Sequence, residues 1–96
     1  MNLERAYERR PGVVGRRIAG ETILVPTTRR AHEMALFTLN EVGTFVWERL
    51  DPARPAEALV ADIVAEFDVE SEKARADLEH FLDQMIRSQC IREASS

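Results

Sequence analysis

The segment Leu39-Asn40-Glu41-Val42-Gly43-Thr44-Phe45-Val46-Trp47-Glu48-Arg49-Leu50 constrains the fold more than any other stretch of this chain. Asn40 is a good helix N-cap, because its side-chain oxygen accepts one of the orphan N–H groups of the first turn. Val42, Phe45, Val46 and Leu50 follow at i, i+3, i+4 and i+8, on one helical face. Gly43 stands in the first turn, where a glycine costs about 1 kcal/mol of helix propensity. That cost suggests a second backbone approaching there. Trp47, the single tryptophan, adds a large apolar surface beside the stripe. It is expected in the core, where this helix meets a sheet.

Upstream, the pattern has the period of strands. Residues 1–12 read as an irregular arm ending at the turn dipeptide Pro11-Gly12. Val13–Ile18 reads as a short strand and Ala19-Gly20-Glu21 as a tight turn. Thr22–Val25 is β-branched and apolar, and Pro26 ends it. The two runs predict a hairpin. Thr27–Glu33 is a polar loop, and Met34–Thr38 is a third strand, with a helical start at Ala31 as its rival. Downstream, the first helix covers 40–50 and stops before Asp51-Pro52. Pro55 suits the first position of a second helix, which carries Leu59, Val60, Ile63, Val64 and Phe67 at helical spacing. Ser71 offers the cap of a third, with Ala74, Leu78, Phe81, Leu82, Met85 and Ile86 on one broad face. The predicted organisation is an arm (1–12), one domain (13–92) and a frayed tail (93–96). Strands followed by helices make it α+β: a three-stranded antiparallel meander followed by three helices, similar to a winged helix-turn-helix with its sheet placed first.

Ninety-six residues with 45% hydrophobic content support one core, burying roughly 60–70% of the unfolded surface. Cys90 is the single cysteine, so the fold rests on packing, which suits a reducing cytoplasm. No apolar run reads as a signal peptide or approaches the ~20 residues of a membrane span. Charge is uneven. Residues 1–39 hold seven arginines against four glutamates, and residues 40–96 hold six basic against thirteen acidic side chains. Two solvated faces of opposite sign explain this; an acidic helical face that docks on a basic partner is the sharper reading.

Chemistry-bearing groups do not converge. His32 and His80 are far apart, and neither begins a ligand pattern such as H-E-x-x-H. Cys90 beside Ile91 reads as a small hydrophobe. Asp77, Glu79 and Asp83 share one helix as a solvated face. There is no glycine-rich phosphate loop. An enzyme is not expected.

The sequence LNEVGTFVWERL (39–50) resembles the start of the helical half in the PqqD-like family, also called RiPP recognition elements. Those are small proteins or domains that bind precursor peptides of ribosomally made, modified natural products. ETILVP (21–26) resembles the family's second strand, and EFDVESEKARADLEHFLDQM (66–85) its linker and last helix. The resemblance spans residues 13–92. Where members often close with a glycine and a leucine, this chain has Gln89 and Cys90, which leaves the end of the third helix open. The resemblance implies that the leader region of a precursor binds by strand addition between the third strand and the last helix. It carries that role to Met34, Ala35, Leu36, Phe37 and Thr38, and to Arg75, Leu78, Glu79 and Leu82, although the residue pattern alone reads the four large apolar ones as core. It also implies delivery to a modifying enzyme, commonly a radical S-adenosylmethionine (radical SAM) enzyme, with no cofactor on this chain.

The edge physics supports the same site. Strand edges are normally blunted by charge or proline. The first strand carries Arg16 and Arg17, whereas Met34–Thr38 carries neither. Two other readings remain. A winged-helix DNA-binding regulator is opposed by the third helix, where Glu72, Asp77, Glu79 and Asp83 outnumber Lys73, Arg75 and Arg87, since DNA affinity comes mainly from cations on phosphates. No nucleic-acid or membrane partner is therefore expected. A self-associating module would pair the same open edge with its twin in a homodimer.

Overall fold

The computed structural model describes residues 2–26 and 37–94. Along them run β1 (Tyr7–Arg9), β2 (Val13–Ile18), β3 (Glu21–Pro26), β4 (Phe37–Leu39), α1 (Glu41–Arg49), α2 (Glu57–Phe67), α3 (Ser71–Arg87) and β5 (Ile91–Glu93). The strands β2, β3 and β4 form an antiparallel sheet in that order. Three helices follow it, so the α+β architecture is the one read from the sequence. Of the third strand expected over Met34–Thr38, residues 34–36 lie outside the described residues. The strand continues one residue further than expected, to Leu39.

Local chemistry sets the element ends. The β2–β3 hairpin closes through Ala19 and Gly20, at φ 52° and 85°, between the register partners Ile18 and Glu21. Two successive left-handed residues give the turn whose twist matches the strands. Asn40 caps α1 as expected, its side-chain oxygen accepting the Gly43 N–H at 2.8 Å. At the end of α3, Gln89 takes the left-handed conformation, φ 62°. Its N–H donates to the Ile86 carbonyl (3.0 Å) and the Cys90 N–H to that of Met85 (2.9 Å). This is the paired bonding of a Schellman C-cap, usually built on glycine. Gln89 therefore stands in for the missing glycine, and the helix ends cleanly. Cys90 and Met85 are both fully buried beneath it.

Four local expectations need correction. Residues 7–9 are not irregular. Strand β1 pairs antiparallel with β5, Tyr7 opposite Glu93 and Arg9 opposite Ile91. Glu93 is accordingly in a strand, and the Ala94 N–H donates to the Ala6 carbonyl at 3.0 Å. Helix α2 starts at Glu57, not at Pro55, because the arm supplies its cap: the carbonyls of Arg5 and Leu3 accept the N–H groups of Ala56 and Glu57, each at 2.8 Å. The N-cap of α3 is Glu70, with no side-chain cap bond, and Ser71 is its first helical residue.

One face of the sheet packs on the helices and buries Thr22, Leu24 and Leu39. The other exposes Val14 and Ile18. Leu24, Val46, Ile63, Leu78, Leu82, Met85 and Ile91 form the fully buried centre. Trp47 is in the core as expected, 3% exposed. It lies under Gly15 of β2, where a Cβ would come within 2.9 Å of the indole nitrogen. The Arg9 guanidinium stacks over its ring at 5.4 Å.

Replacing Trp47 with Ala is expected to cost about 3–5 kcal/mol, as for other buried aromatic truncations. Gly15→Ala should cost about 1–3 kcal/mol by overpacking the same contact. Urea unfolding of both variants measures these. Tyr7 is buried, and its hydroxyl donates to the Asn2 carbonyl at 2.9 Å. Burial, and next the Glu93 carboxylate, push its phenol above the ordinary value of 10.0. The neutral phenol therefore stabilises the fold fully below that value, and the contribution is lost as pH rises through the folded pKa. Stability should fall on alkaline titration in step with phenolate absorbance, read cleanly because Tyr7 is the single tyrosine. Tyr7→Phe should flatten that part of the profile.

Candidate functional site

Strand β4 runs directly into the Asn40 cap, so its last residues and the first turn of α1 stand beside α3. Asp77, His80, Phe81 and Gln84 follow one another at i, i+3, i+4 and i+7, a single helical face. With Thr38, Leu39, Asn40, Val42 and Gly43 they line an open groove of ≈ 230 Å³. Phe81, 7% exposed, is its floor. A second shallow cavity of ≈ 360 Å³ shares His80 and Gln84 and adds Asp83, Arg87 and Ser88. The trough therefore continues along the end of α3. Among the described residues β4 pairs with β3 alone, so its outer edge faces this trough. No charge or proline stands within Phe37–Leu39 to blunt it.

The tightness at Gly43 has a different source from the one expected. A Cβ there would meet the Leu39 Cβ at 3.2 Å, and the Asn40 Oδ1 and the Phe81 ring each at 3.3 Å. Side chains, not a second backbone, crowd it. The neighbouring Thr44 is buried, and its hydroxyl donates to the Leu39 carbonyl at 3.4 Å. The strand end, the cap and the helix start are thereby held as one unit.

The residues singled out from the sequence separate into four places. Met34, Ala35 and Leu36 lie outside the described residues. Phe37 and Thr38 are in β4, and Thr38 is exposed at the groove. Leu78 and Leu82 are fully buried and face the core, as the residue pattern alone suggested. Arg75 and Glu79 line a separate cleft with Asn2, Leu3, Glu4 and Glu57. Two positions along a helix is a turn of about 200°. The set 75, 78, 79 and 82 therefore points away from the set 77, 80, 81 and 84, and it is the second that borders β4. Periodicity identifies such faces but does not say which one meets the sheet edge. Asp77, His80, Phe81 and Gln84, which line the groove, were not among the residues the sequence assigned to it for that reason.

Electrostatics separates the two faces further. The Arg75 fork engages both oxygens of Glu57. These hydrogen bonds hold the Glu57 carboxyl below the usual carboxylate range and raise the Arg75 guanidinium. Lys73 pairs with Asp77 and Arg87 with Asp83, each at 3.2 Å. Every Lys or Arg of α3 is thus matched to a carboxylate. No metal-holding group of His, Cys, Asp and Glu forms among the described residues. No helix among them is long and apolar enough to cross a membrane.

A solved structure shares this architecture. The structure of TbiB1 in complex with the TbiA(beta) leader peptide superposes with a TM-score of 0.76. It covers 93% of this chain and 99% of that one, at 24% sequence identity. That likeness establishes the fold. No curated protein matches. The family model described as coenzyme PQQ synthesis protein D (PqqD) matches residues 21–91. The match runs from the strand that pairs with β4, through the cap and groove, to the start of β5, and by it this chain belongs to the PqqD family.

Proposed function

We propose that this chain is a non-catalytic peptide-binding protein. It captures the leader region of a ribosomally made precursor peptide as an added strand along β4 and presents it to a modifying enzyme. The observation that carries the reading is the edge of β4 that no other described strand pairs, beside the α3 groove. An added strand gains affinity from main-chain hydrogen bonds to such an edge and specificity from pockets for its alternate side chains. Membership of the PqqD family supports the reading, as does a fold shared with a protein solved with a leader peptide.

The proposed contact set is drawn from the residues that line the groove. Phe37 and Thr38 offer the backbone, and Asp77, His80, Phe81 and Gln84 form the opposite wall. Met34, Ala35 and Leu36 would extend the edge, on the sequence argument alone. Leu78 and Leu82 hold α3 in place from within. The partner enzyme is, by family resemblance, of the radical SAM type. Holding the substrate beside it raises the effective concentration of the reacting segment, which requires neither a cofactor nor an acid–base pair on this chain. A cytoplasmic location fits the lone buried Cys90.

Backbone amide shifts of labelled protein, titrated with peptides encoded beside its gene, should cluster on Phe37–Leu39 and on α3 from Asp77 to Gln84. Clustering on α2 would sink the proposal. Antiparallel ladders alternate inward and outward N–H groups. Of Phe37→Pro and Thr38→Pro, one should therefore abolish binding while the fold persists, and the other should damage the sheet. DNA titrated at physiological salt should bind weakly and without sequence preference, since each Lys or Arg of α3 already has a carboxylate partner. Tight sequence-dependent binding would revive the winged-helix reading.

A further inference from the structure

Gly43 is the groove position where a side chain is missing although alanine is the better helix former. It lines the inner end of the groove, and its N–H is held by Asn40 Oδ1 at 2.8 Å. A methyl group at this position would stand 3.3 Å from the edge of the Phe81 ring and 3.2 Å from the Leu39 Cβ. Neither neighbour can retreat into the core, because both are packed within it at 7% and 5% exposure. The added carbon would therefore fill the inner end of the groove or drive the Phe81 ring into it. The inner surface, made by Leu39, Val42, Gly43 and Phe81, is apolar, while Thr38, Asn40, Asp77, His80 and Gln84 form a polar rim. At ≈ 230 Å³ the space exceeds the engineered apolar cavity of about 150 Å³ that admits benzene in another protein.

We infer that Gly43 determines the size of the side chain the groove accepts: its missing Cβ leaves room for one large apolar residue of the bound strand, aromatic or leucine, seated against the edge of Phe81. The inference rests on the peptide-binding reading above. It adds a selectivity residue on α1, an element outside the two walls that the added strand would touch.

The test is selection of mRNA-displayed random short peptides on the immobilised full chain. The parent, Gly43→Ala, Phe81→Leu and the double variant are compared, each checked for its fold by circular dichroism. The parent should enrich peptides with an aromatic or leucine at one fixed position. Gly43→Ala should shift that position to valine or alanine and bind the parent's peptides about tenfold or more weakly, the usual effect of one methylene in a tight apolar pocket. Phe81→Leu should shift it toward bulkier residues, and the double variant should return toward the parent. If enrichment on Gly43→Ala keeps the same size preference and affinity, Gly43 is not the selector. If Gly43→Ala fails to fold, Phe81→Leu and the double variant decide alone, and an unchanged preference in both overturns the inference. If the parent enriches no peptide family at all, the peptide-binding reading itself fails, and the inference with it.

Discussion

The indole of Trp47 lies against a strand position that has no side chain, and much of the molecule follows from that contact. Gly15 lets β2 settle onto the ring. The sheet thereby approaches α1 closely enough for Thr22, Leu24 and Leu39 to be buried. Leu39 then brings the chain into the Asn40 cap, and the cap sets the direction of α1. The groove is a by-product of this chain of placements. Its strand wall, cap and first helical turn are consecutive residues held by bonds between Gly43 and Asn40 and between Thr44 and Leu39. Only the α3 wall comes from afar, and it is positioned by Leu78, Leu82 and Met85 packing in the centre.

Local signals carried most of the fold. The hairpin was readable because Val13–Ile18 and Thr22–Val25 flank a two-residue turn. The helices were readable because their apolar residues recur at helical spacing. Strand β1 was not. Tyr-Glu-Arg is too short to show a two-residue period, and its partner lies at the other end of the chain. The cap of α2 was missed for a related reason. It is made of the backbone carbonyls of Leu3 and Arg5, and a carbonyl has no signature in a sequence. The candidate groove was half readable. The uncharged strand edge could be read from composition, but the face of α3 beside it is set by tertiary packing. The faces holding 75, 78, 79 and 82 and 77, 80, 81 and 84 have the same spacing, and only the packed structure separates them.

Among the described residues, part of the uneven charge is met by short-range pairing. Arg17 reaches from the sheet to Glu48 on α1, and Arg54 reaches to Asp62 on α2. Lys73 and Arg87 neutralise carboxylates one turn away on α3. All of these pairs are at least partly exposed, so each contributes little to stability. Their effect is on the trough formed by the groove and the second cavity, whose two aspartates, Asp77 and Asp83, both carry a cation. The surface beside β4 is thus less acidic than the helical half as a whole.

The β1–β5 pairing brings the two ends of the described chain side by side, tied by Arg5 to Glu93 and by Arg92 to Glu8. Closing a contact between such distant segments costs loop entropy that local hairpins and helices do not bear. The pairing is therefore expected to form after the local hairpin and helices. Its opening carries a cost, since Tyr7 and Ile91 are buried. Opening it withdraws the carbonyls of Leu3 and Arg5 from the start of α2, so fraying at the termini passes directly into a helix. Adjacent ends have a topological consequence as well: a unit of this shape fits into a surface loop of a larger protein with little disturbance to its host.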